Sequence, residues 1–362
     1  MANPERRPLR VIQWATGNAG KNAVRGIVRH PDLELVGLHA HAKEKQGVDA
    51  AELCGLSQPT GVRATNDVDA LLALDADCVC YTATADLRPA EAVKDIARIL
   101  ESGKNVVSSS VVSMIYPPHL DPGMREPLEA ACRTGNTSCF TSGIDPGWAN
   151  DLLPFVLTGA CEYIDELRVM EVVNYATYAQ PTVLFDTMGF GQELDAKPLL
   201  LLPGVLSFAW GGVVKVLASG LGVEVDELRE VHERRPAPRD IDLGFGVVKE
   251  GTTAALRFEV QGIVDGNARI VLEHVTRLAD DLCPDWPQPV GYSGYRVVVT
   301  GNPNYTCDVQ MMGDDGDHNT GGLVGTAARL TNAIPAVCAA PSGLLSVLDL
   351  PLIPGAGLRA SH

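Results

Sequence analysis

From Leu9 to Thr141 the sequence alternates short apolar runs with stretches of helical spacing, and this alternation limits the fold more than any other feature. Strands are predicted at Leu9–Trp14, Leu33–His39, Asp77–Thr82, Asn105–Ser108 and Ser138–Thr141. Helices are predicted between them, at Lys21–His30, Asp67–Leu74, Arg88–Ser102 and Pro122–Thr134. Strand–helix–strand repetition with short links requires right-handed parallel crossovers. The sequence therefore predicts an α/β domain with a doubly wound parallel sheet.

A turn of small residues, 15–20, joins the first predicted strand to the first predicted helix. Gly17 lets a backbone approach a pyrophosphate closely, and Gly20 lets the helix pack tightly on the sheet. The free amides at the helix start then hold the phosphates, so Gly17, Asn18, Ala19 and Gly20 are predicted to bind a dinucleotide. An ordinary strand-to-helix turn is the alternative, but the position directly after the first strand favours a Rossmann nucleotide site.

The pattern of predicted elements changes after Asp145-Pro146-Gly147, where long strands follow one another without helices between them. These strands are predicted at Glu166–Tyr175, Ala254–Val264, Ala268–Leu278 and Tyr295–Thr300, with helices at Ala149–Leu157 and Gly204–Leu221. Asp265-Gly266-Asn267 is a hairpin signal. The second domain is therefore predicted to be α+β with an antiparallel or mixed sheet. We place the dinucleotide-binding domain at 1–147, the substrate and dimerisation domain at 148–318, and a C-terminal helix and tail at 319–362.

The charge balance argues against nucleic acid and anionic membranes as partners. The chain has 29 Lys and Arg against 45 Asp and Glu, and no basic run forms a patch that would neutralise phosphates. Nine scattered cysteines, an odd number without metal or redox spacing, favour a reducing compartment. The start of the chain is polar and no apolar stretch reaches the ~20 residues of a membrane helix, so we expect a cytoplasmic protein.

The segment after the second predicted strand indicates which dinucleotide is bound. An NAD site needs an acid at that strand end to bind the ribose diol. Here the segment is rich in His and Lys instead, and its one acid is Glu44. We therefore predict NADP(H), with His41 and Lys43 contacting the 2′-phosphate. In the alternative interpretation these are solvated loop residues and Glu44 contacts the ribose.

Two further strand ends carry small and hydroxyl residues. The run 81–86 and the pair Ser108-Ser109 follow predicted strands at the carboxyl edge of the sheet, where doubly wound folds bind ligands. Thr82, Ala83, Thr84 and Ser108 are predicted to contact the ribose and nicotinamide. Ordinary strand-end loops are the alternative.

Three segments resemble the dihydrodipicolinate-reductase-like oxidoreductases, in the branch of 2,4-diaminopentanoate dehydrogenase and the native amine dehydrogenases. They are RVIQWATGNAGKNAVRGI, NVVSSS and GIDPG. The resemblance implies a Rossmann domain, an α+β domain with the substrate contacts and the dimer interface, and a last helix that returns to the first domain. It also implies hydride transfer, in the cleft between the domains, between nicotinamide and a small ketone, aldehyde, imine or amine, and a homodimer.

The sequence departs from this family where a catalytic glutamate follows the strand Asn105–Ser108. Val111 and Val112 stand in that segment, and valine can neither bind ammonia nor transfer its proton. An NADP(H)-dependent amine dehydrogenase or imine reductase is the leading hypothesis. A carbonyl reductase that does not use ammonia and a dinucleotide sensor without turnover remain alternatives.

Candidate chemistry in the second domain comes from isolated residues. Tyr175 is predicted to be a proton donor with Asn174 orienting the substrate, and Trp148 and Tyr178 are predicted to line the substrate pocket. Each tyrosine is equally consistent with a core position. Asp145 is interpreted as a helix N-cap and His274 as a structural residue on an exposed strand. His318 is either a proton shuttle or a structural residue beside a helix cap formed by Asn319 or Thr320. No set of His, Cys, Asp and Glu has metal-ligand spacing, so no metal is predicted.

Overall fold

The computed structural model describes residues 7–85, 88–355 and 357. The chain forms two compact units. Unit 1 contains Met1–Ile144 and Leu323–His362, and unit 2 contains Asp145–Gly322. Unit 1 is therefore made from both ends of the chain, whereas unit 2 is one continuous segment.

The α-helices are α1 (Asn18–Arg29), α2 (Ala50–Cys54), α3 (Val68–Leu72), α4 (Pro89–Glu101), α5 (Pro122–Gly135), α6 (Leu152–Thr158), α7 (Val205–Leu221) and α8 (His318–Ala339). The strands are β1 (Leu9–Trp14), β2 (Leu33–His39), β3 (Ala64–Thr65), β4 (Cys78–Tyr81), β5 (Asn105–Ser108), β6 (Ser138–Thr141), β7 (Tyr163–Asn174), β8 (Glu227–Pro236), β9 (Ile241–Asp242), β10 (Val247–Val248), β11 (Thr253–Val264), β12 (Asn267–Arg277), β13 (Gly294–Asn302), β14 (Tyr305–Val309) and β15 (Gly343–Leu345). Short 3-10 turns lie at Lys43–Lys45, Val112–Ile115, Pro117–His119, Leu199–Leu201 and Val347–Asp349. Thr182–Thr187 forms a π-helical turn.

Unit 1 contains a parallel sheet of seven strands in the order β15-β6-β5-β4-β1-β2-β3. The order reverses at β1, which pairs with β2 on one side and β4 on the other. This is the strand order of the Rossmann fold, in which ligands bind beyond the carboxyl ends of the strands at the reversal. The predicted doubly wound sheet is confirmed.

The helices of unit 1 cover this sheet with apolar faces that the sequence spacing predicts. On α4 the buried residues Val93, Ile96 and Leu100 recur at helical spacing, and Pro89 occupies the first turn, where its missing amide costs nothing. The C-terminal part of α8 packs Leu330 and Ile334 into the same core as the buried residues of α1. The expected return of the last helix to the first domain is confirmed.

Unit 2 contains a mixed sheet of six strands in the order β14-β13-β7-β12-β11-β8. The central pair β7 and β12 is parallel, and the other pairs are antiparallel. Asp265 and Gly266 both have positive φ in the turn between β11 and β12, which is the backbone that a two-residue hairpin requires. The expected α+β architecture is confirmed.

The sequence did not predict the four edge strands of the two large sheets, β3, β8, β14 and β15. β8 reads ELREVHERRP and lies at the edge of the unit 2 sheet, where charged side chains face water and discourage pairing with another chain. β15 has three residues and adds to β6 at the edge of the unit 1 sheet. Neither β8 nor β15 shows the alternation of apolar and polar residues that predicts a strand.

Along the part of the chain that the structure describes, every helix is too short or too polar to cross a lipid bilayer. All nine cysteines are unpaired.

Candidate functional site

The turn predicted to bind phosphate begins α1, as expected. Gly17 precedes the helix without a side-chain cap, so the first amides of α1 are left for a ligand. A Cβ on Gly17 would meet no atom within 4 Å, whereas a Cβ on Gly20 would lie 2.3 Å from the carbonyl oxygen of Ala15. Gly20 therefore closes the turn against the strand, and Gly17 leaves its outer side open. The exposed Asn18 and half-buried Ala19 complete a turn that fits a pyrophosphate.

The neighbouring strand ends approach this turn. Gln13, buried on β1, donates to the Thr82 hydroxyl at 2.8 Å, and that hydroxyl donates to the carbonyl of Trp14 at 3.1 Å. The Ser110 hydroxyl donates to the carbonyl of Ala83. Ser108 is buried and its hydroxyl accepts from the Ser110 amide at 2.9 Å. Thr84 is exposed, and Asp86, the last residue of the predicted run, lies outside the described residues.

The end of β2 carries an imidazole where an NAD site would carry an acid. The ring of His39 stacks on Trp14 with centroids 4.2 Å apart. Lys45 donates to the Thr16 hydroxyl at 3.0 Å, which brings its ammonium to the phosphate-binding turn. His41 and Lys43 are exposed nearby in the sequence. Burial lowers the pKa of His39, so the positive charge beside the turn comes from the Lys45 ammonium.

Unit 2 contains a buried pair of Glu171 on β7 and His274 on β12. His274 Nε2 bonds a Glu171 carboxylate oxygen, and Nδ1 bonds the Thr276 hydroxyl at 2.8 Å. Burial alone would raise the pKa of Glu171, but the imidazoles of His274 and His318 lower that pKa to about 2. Burial likewise opposes charge on His274, yet the carboxylates of Glu171 and Asp145 raise the pKa of the imidazole above its ordinary value. The pair is therefore an ion pair. The expectation that His274 lies on an exposed strand is wrong, because its side chain is 4% exposed.

Asp145 supplies a second carboxylate to this pair. The ligand-type oxygen and nitrogen atoms of Asp145, Glu171 and His274 all lie within 4.8 Å of one another; we call these three residues the Glu171 cluster. Burial and the negative charge of Glu171 raise the pKa of Asp145 to about 6, against the opposing effects of His274 and of hydrogen bonds. The interpretation of Asp145 as a helix N-cap is wrong: its backbone is extended, and α6 begins seven residues later with Asp151 as its cap.

Aromatic rings surround the Glu171 cluster. The Trp210 indole donates to Asp145 Oδ1 at 2.7 Å, and Phe258 stacks on His274 with centroids 5.0 Å apart. Tyr175 donates to Glu171 Oε2 at 3.4 Å and stacks on Tyr178. Burial raises the pKa of Tyr175 well above its ordinary value, and the charge of Glu171 adds to this effect. Two predicted residues, Tyr175 and Tyr178, are thus brought beside the cluster.

Other predicted residues have different surroundings. The Asn174 amide nitrogen donates to Asp280 at 2.7 Å, and its oxygen accepts from the Ala176 amide, so both ends of this side chain make local bonds. Trp148 is half-buried, three residues after Asp145. At the start of α8, Asp317 rather than Asn319 or Thr320 accepts from a first-turn amide. His318 Nε2 lies 4.0 Å from Glu171 Oε1, and Nδ1 lies 3.1 Å from the carbonyl oxygen of Met311.

The side chains of the Glu171 cluster are of types that can also ligate metals, and they come from three separate parts of the chain, which is why sequence spacing did not reveal the cluster. Two carboxylates and one imidazole can ligate a divalent ion. In this arrangement, however, His274 Nε2 bonds Glu171 and Asp145 Oδ1 accepts from Trp210. Each of these atoms therefore already has a hydrogen-bonding partner.

The sequence contained a signal for Glu171 that the strand prediction did not use. Val169, Glu171 and Val173 share one face of β7 because side chains alternate along a strand, and both valines are buried. A carboxylate at an inward position must be paired or functional, because an isolated buried charge is costly. His274 shows the same signal on β12.

Comparisons with known proteins match nearly the whole chain. The family model described as the 2,4-diaminopentanoate dehydrogenase C-terminal domain matches residues 148–360. An amine dehydrogenase from Streptomyces virginiae is 40% identical over 352 residues, covering 96% of this chain and 98% of the relative. The 2,4-diaminopentanoate dehydrogenase of Acetoanaerobium sticklandii is 25% identical over 355 residues, covering 95% and 94%. The solved structure of an amine dehydrogenase from Mycobacterium smegmatis has the same fold, with a TM-score of 0.76 at 19% identity, covering 96% of this chain and 97% of that one.

Proposed function

Because this chain belongs to the family of 2,4-diaminopentanoate dehydrogenase and the amine dehydrogenases, and is an NAD(P)-dependent dehydrogenase, we propose that it interconverts small amines and carbonyl compounds with NADP(H). The reaction joins a ketone or aldehyde with ammonia and reduces the resulting C=N bond, or runs in reverse.

The observation that carries the proposal is the charge of the Glu171 cluster. Two carboxylates, Asp145 and Glu171, face the single imidazole of His274 and raise its pKa, so the cluster contains one more acidic group than basic groups. An ammonium or iminium ion supplies the missing positive charge, whereas a neutral ketone does not. The rings of Trp210 and Tyr175 beside the cluster add favourable cation–π surfaces.

The nucleotide site of unit 1 fits the cofactor that the family implies. Gly17 leaves space at the start of α1, and the residues that would hold the dinucleotide are Gly17, Asn18, Ala19 and Gly20, with Thr82, Ala83, Thr84 and Ser108 at the adjoining strand ends. When bound, the nicotinamide supplies or accepts a hydride. The residues of this chain bind the cofactor and transfer the protons.

We assign NADP(H) rather than NAD(H) from the end of β2. His39 stacks on Trp14 at this end, and Lys45 reaches Thr16. With His41 and Lys43, these groups favour a ribose 2′-phosphate, and an acid that would repel it is missing from the strand end itself.

The proposed substrate contacts are Trp148 and Tyr178, and Tyr175 is proposed to hold the reacting nitrogen or oxygen by hydrogen bonding. Tyr175 and Tyr178 stack with centroids 4.7 Å apart beside the Glu171 cluster. We also propose a cytoplasmic homodimer. Light scattering gives the oligomeric state directly, and a monomer would contradict the dimer.

The test is NADPH oxidation with a panel of ketones and aldehydes, measured with and without ammonium chloride, and NADP⁺ reduction with the matching primary amines. Turnover that requires ammonium supports the proposal. Equal turnover without ammonium would identify a carbonyl reductase instead, as the valines at 111 and 112 leave open. Tight NADPH binding with no turnover across the panel in either direction would identify a sensor. NADH preferred over NADPH would overturn the cofactor assignment.

A further inference from the structure

We propose that Asp145 is the acid–base group of this enzyme. Glu171 stays ionised beside it and stabilises the cationic intermediate. This inference rests on the proposed function and deepens it. It places the acid–base carboxylate at the first residue of unit 2.

The carboxylates of Asp145 and Glu171 differ in their exposure and in their contacts. Glu171 is 6% exposed, and its oxygens face His274, His318 and Tyr175. Asp145 is half-buried on a segment with extended backbone, and the Trp210 indole donates to one of its oxygens at 2.7 Å. Asp145 is therefore the more exposed of the two carboxylates, and it is the one to which we assign contact with the substrate.

The surroundings also separate their proton affinities. Asp145 faces Glu171 from β7, His274 from β12, the Trp210 indole from α7 and the Asn150 amide from its own segment. Burial and repulsion by Glu171 raise the pKa of Asp145 to about 6, whereas the imidazoles keep the pKa of Glu171 at about 2. Two neighbouring carboxyls with separated pKa values are the usual signature of an acid and a permanent anion.

Tyr175 is a poorer proton donor than Asp145. Burial and the neighbouring Glu171 raise the pKa of Tyr175 well above its ordinary value, so its phenol retains the proton at neutral pH. Tyr295 behaves in the same way for the same reasons. The two phenols can orient a substrate by hydrogen bonding while Asp145 exchanges protons.

The step assigned to Asp145 is the dehydration of the adduct of ketone and ammonia. The ketone carbon and ammonia form a C–N bond, and a proton moves from nitrogen to oxygen to give a neutral carbinolamine. Protonated Asp145 gives its proton to the carbinolamine hydroxyl, the C–O bond breaks and water leaves. The products are an iminium cation and the Asp145 carboxylate, which solvent later reprotonates. Glu171 and Asp145 then both face the iminium charge.

The test compares a ketone plus ammonium with a preformed cyclic imine, 2-methyl-1-pyrroline, which needs no dehydration. Asp145→Asn should lower kcat for cyclohexanone at saturating ammonium chloride by about 100-fold or more, the usual contribution of a positioned acid. Reduction of the cyclic imine should fall by much less. The control Asp240→Asn removes an exposed carboxylate of unit 2 and should change neither rate.

The pH profile provides an independent readout. In the wild type, kcat for the ketone should fall as pH rises through about 6, because the acid form of Asp145 is needed. Asp145→Asn should lose this limb, and Glu171→Gln should move it to lower pH by removing the repulsion. Asp145→Ser serves the same comparison if the asparagine variant does not fold.

The outcomes are distinguishable from failure of the proposed function. An Asp145→Asn enzyme that keeps the limb and most of its ketone rate, or that loses both substrates equally, overturns the role of Asp145 and leaves the amine dehydrogenase proposal intact. A wild-type enzyme that ignores ammonium overturns the proposed function itself.

Discussion

Glu171 on β7 and His274 on β12 are register partners on adjacent parallel strands, and their side chains form a buried ion pair. The same register places Phe258 of β11 opposite His274 and Tyr295 of β13 opposite Glu171. One row across four strands therefore carries an anion, a cation and two aromatic rings. The chemistry of unit 2 depends on strand register as much as on residue identity.

The first prediction concerns acid stability. Glu171 has its pKa lowered from 4.5 to about 2 in the folded protein, so its stabilising effect is complete above the unfolded pKa and is lost as pH falls from about 5 towards 2. Glu171→Gln should therefore show a weaker loss of stability over this range, by on the order of 2 kcal/mol. Urea midpoints at a series of pH values measure this difference. The exposed Glu227→Gln is the control, and identical pH slopes for wild type and Glu171→Gln would contradict the ion pair.

The second prediction concerns Asp145, whose ionisation destabilises the folded protein, whereas that of Glu171 stabilises it. The pKa of Asp145 is raised from 3.8 to about 6, so ionisation of this carboxyl disfavours the folded state as pH rises through that interval. Asp145→Asn keeps an oxygen for Trp210 and removes the repulsion, so it should stabilise the protein at neutral pH by on the order of 1 kcal/mol. Below about pH 4 the gain should vanish, because the wild-type carboxyl is then protonated as well. Thermal melts at both pH values check this, and a destabilised variant at neutral pH would count against the cluster.

The third prediction separates nucleotide affinity from folding within one turn. Gly20→Ala places a Cβ 2.3 Å from the Ala15 carbonyl and should cost about 1–3 kcal/mol of stability. Gly17→Val meets no protein atom within 4 Å at its Cβ and should fold normally, but should weaken NADPH binding at least about tenfold by crowding the pyrophosphate. Calorimetric titration and melting temperatures separate the two effects. Full NADPH affinity in Gly17→Val would remove the turn from the nucleotide site.

Cofactor preference gives the fourth prediction. Removing the cation next to the phosphate-binding turn with Lys45→Ala should raise KM for NADPH about tenfold and leave KM for NADH little changed, since a charged hydrogen bond to phosphate contributes about 1.5–3 kcal/mol. His41→Ala and Lys43→Ala should add to the effect. Equal losses with both cofactors would show that these residues support the loop and do not select the 2′-phosphate.

A fifth prediction concerns metal dependence. The atoms of the Glu171 cluster bond one another and Trp210, and we expect the reaction to proceed without an ion at this place. Dialysis against EDTA should leave kcat unchanged. Loss of activity that zinc or another divalent ion restores would identify the cluster as a metal site.

Local patterns predicted much of the fold because most of its elements have a recognisable signal within a few residues. The turn at Gly17 and Gly20, the apolar face of α4 and the Asp265-Gly266 hairpin are all visible in short windows of sequence. The candidate site was harder, because Asp145, Glu171 and His274 come from separate segments and meet only through the register of β7 against β12. Tyr175 was found because it directly follows β7 at a strand end. β8 was missed because an edge strand can consist largely of charged residues.

The chain order of unit 1 has a consequence for biosynthesis. β15 pairs with β6, and the Ser138 hydroxyl on β6 donates to the carbonyl of Val337, so the sheet of unit 1 is completed by residues that follow unit 2 in the sequence. Unit 2 is continuous and lies wholly between the two parts of unit 1 in the sequence. A ribosome therefore releases every strand of unit 2 before the last strand of unit 1 emerges. Until β15 emerges, the edge of the sheet at β6 has no partner strand, and an intact sheet can bind the cofactor only after β15 has been synthesised.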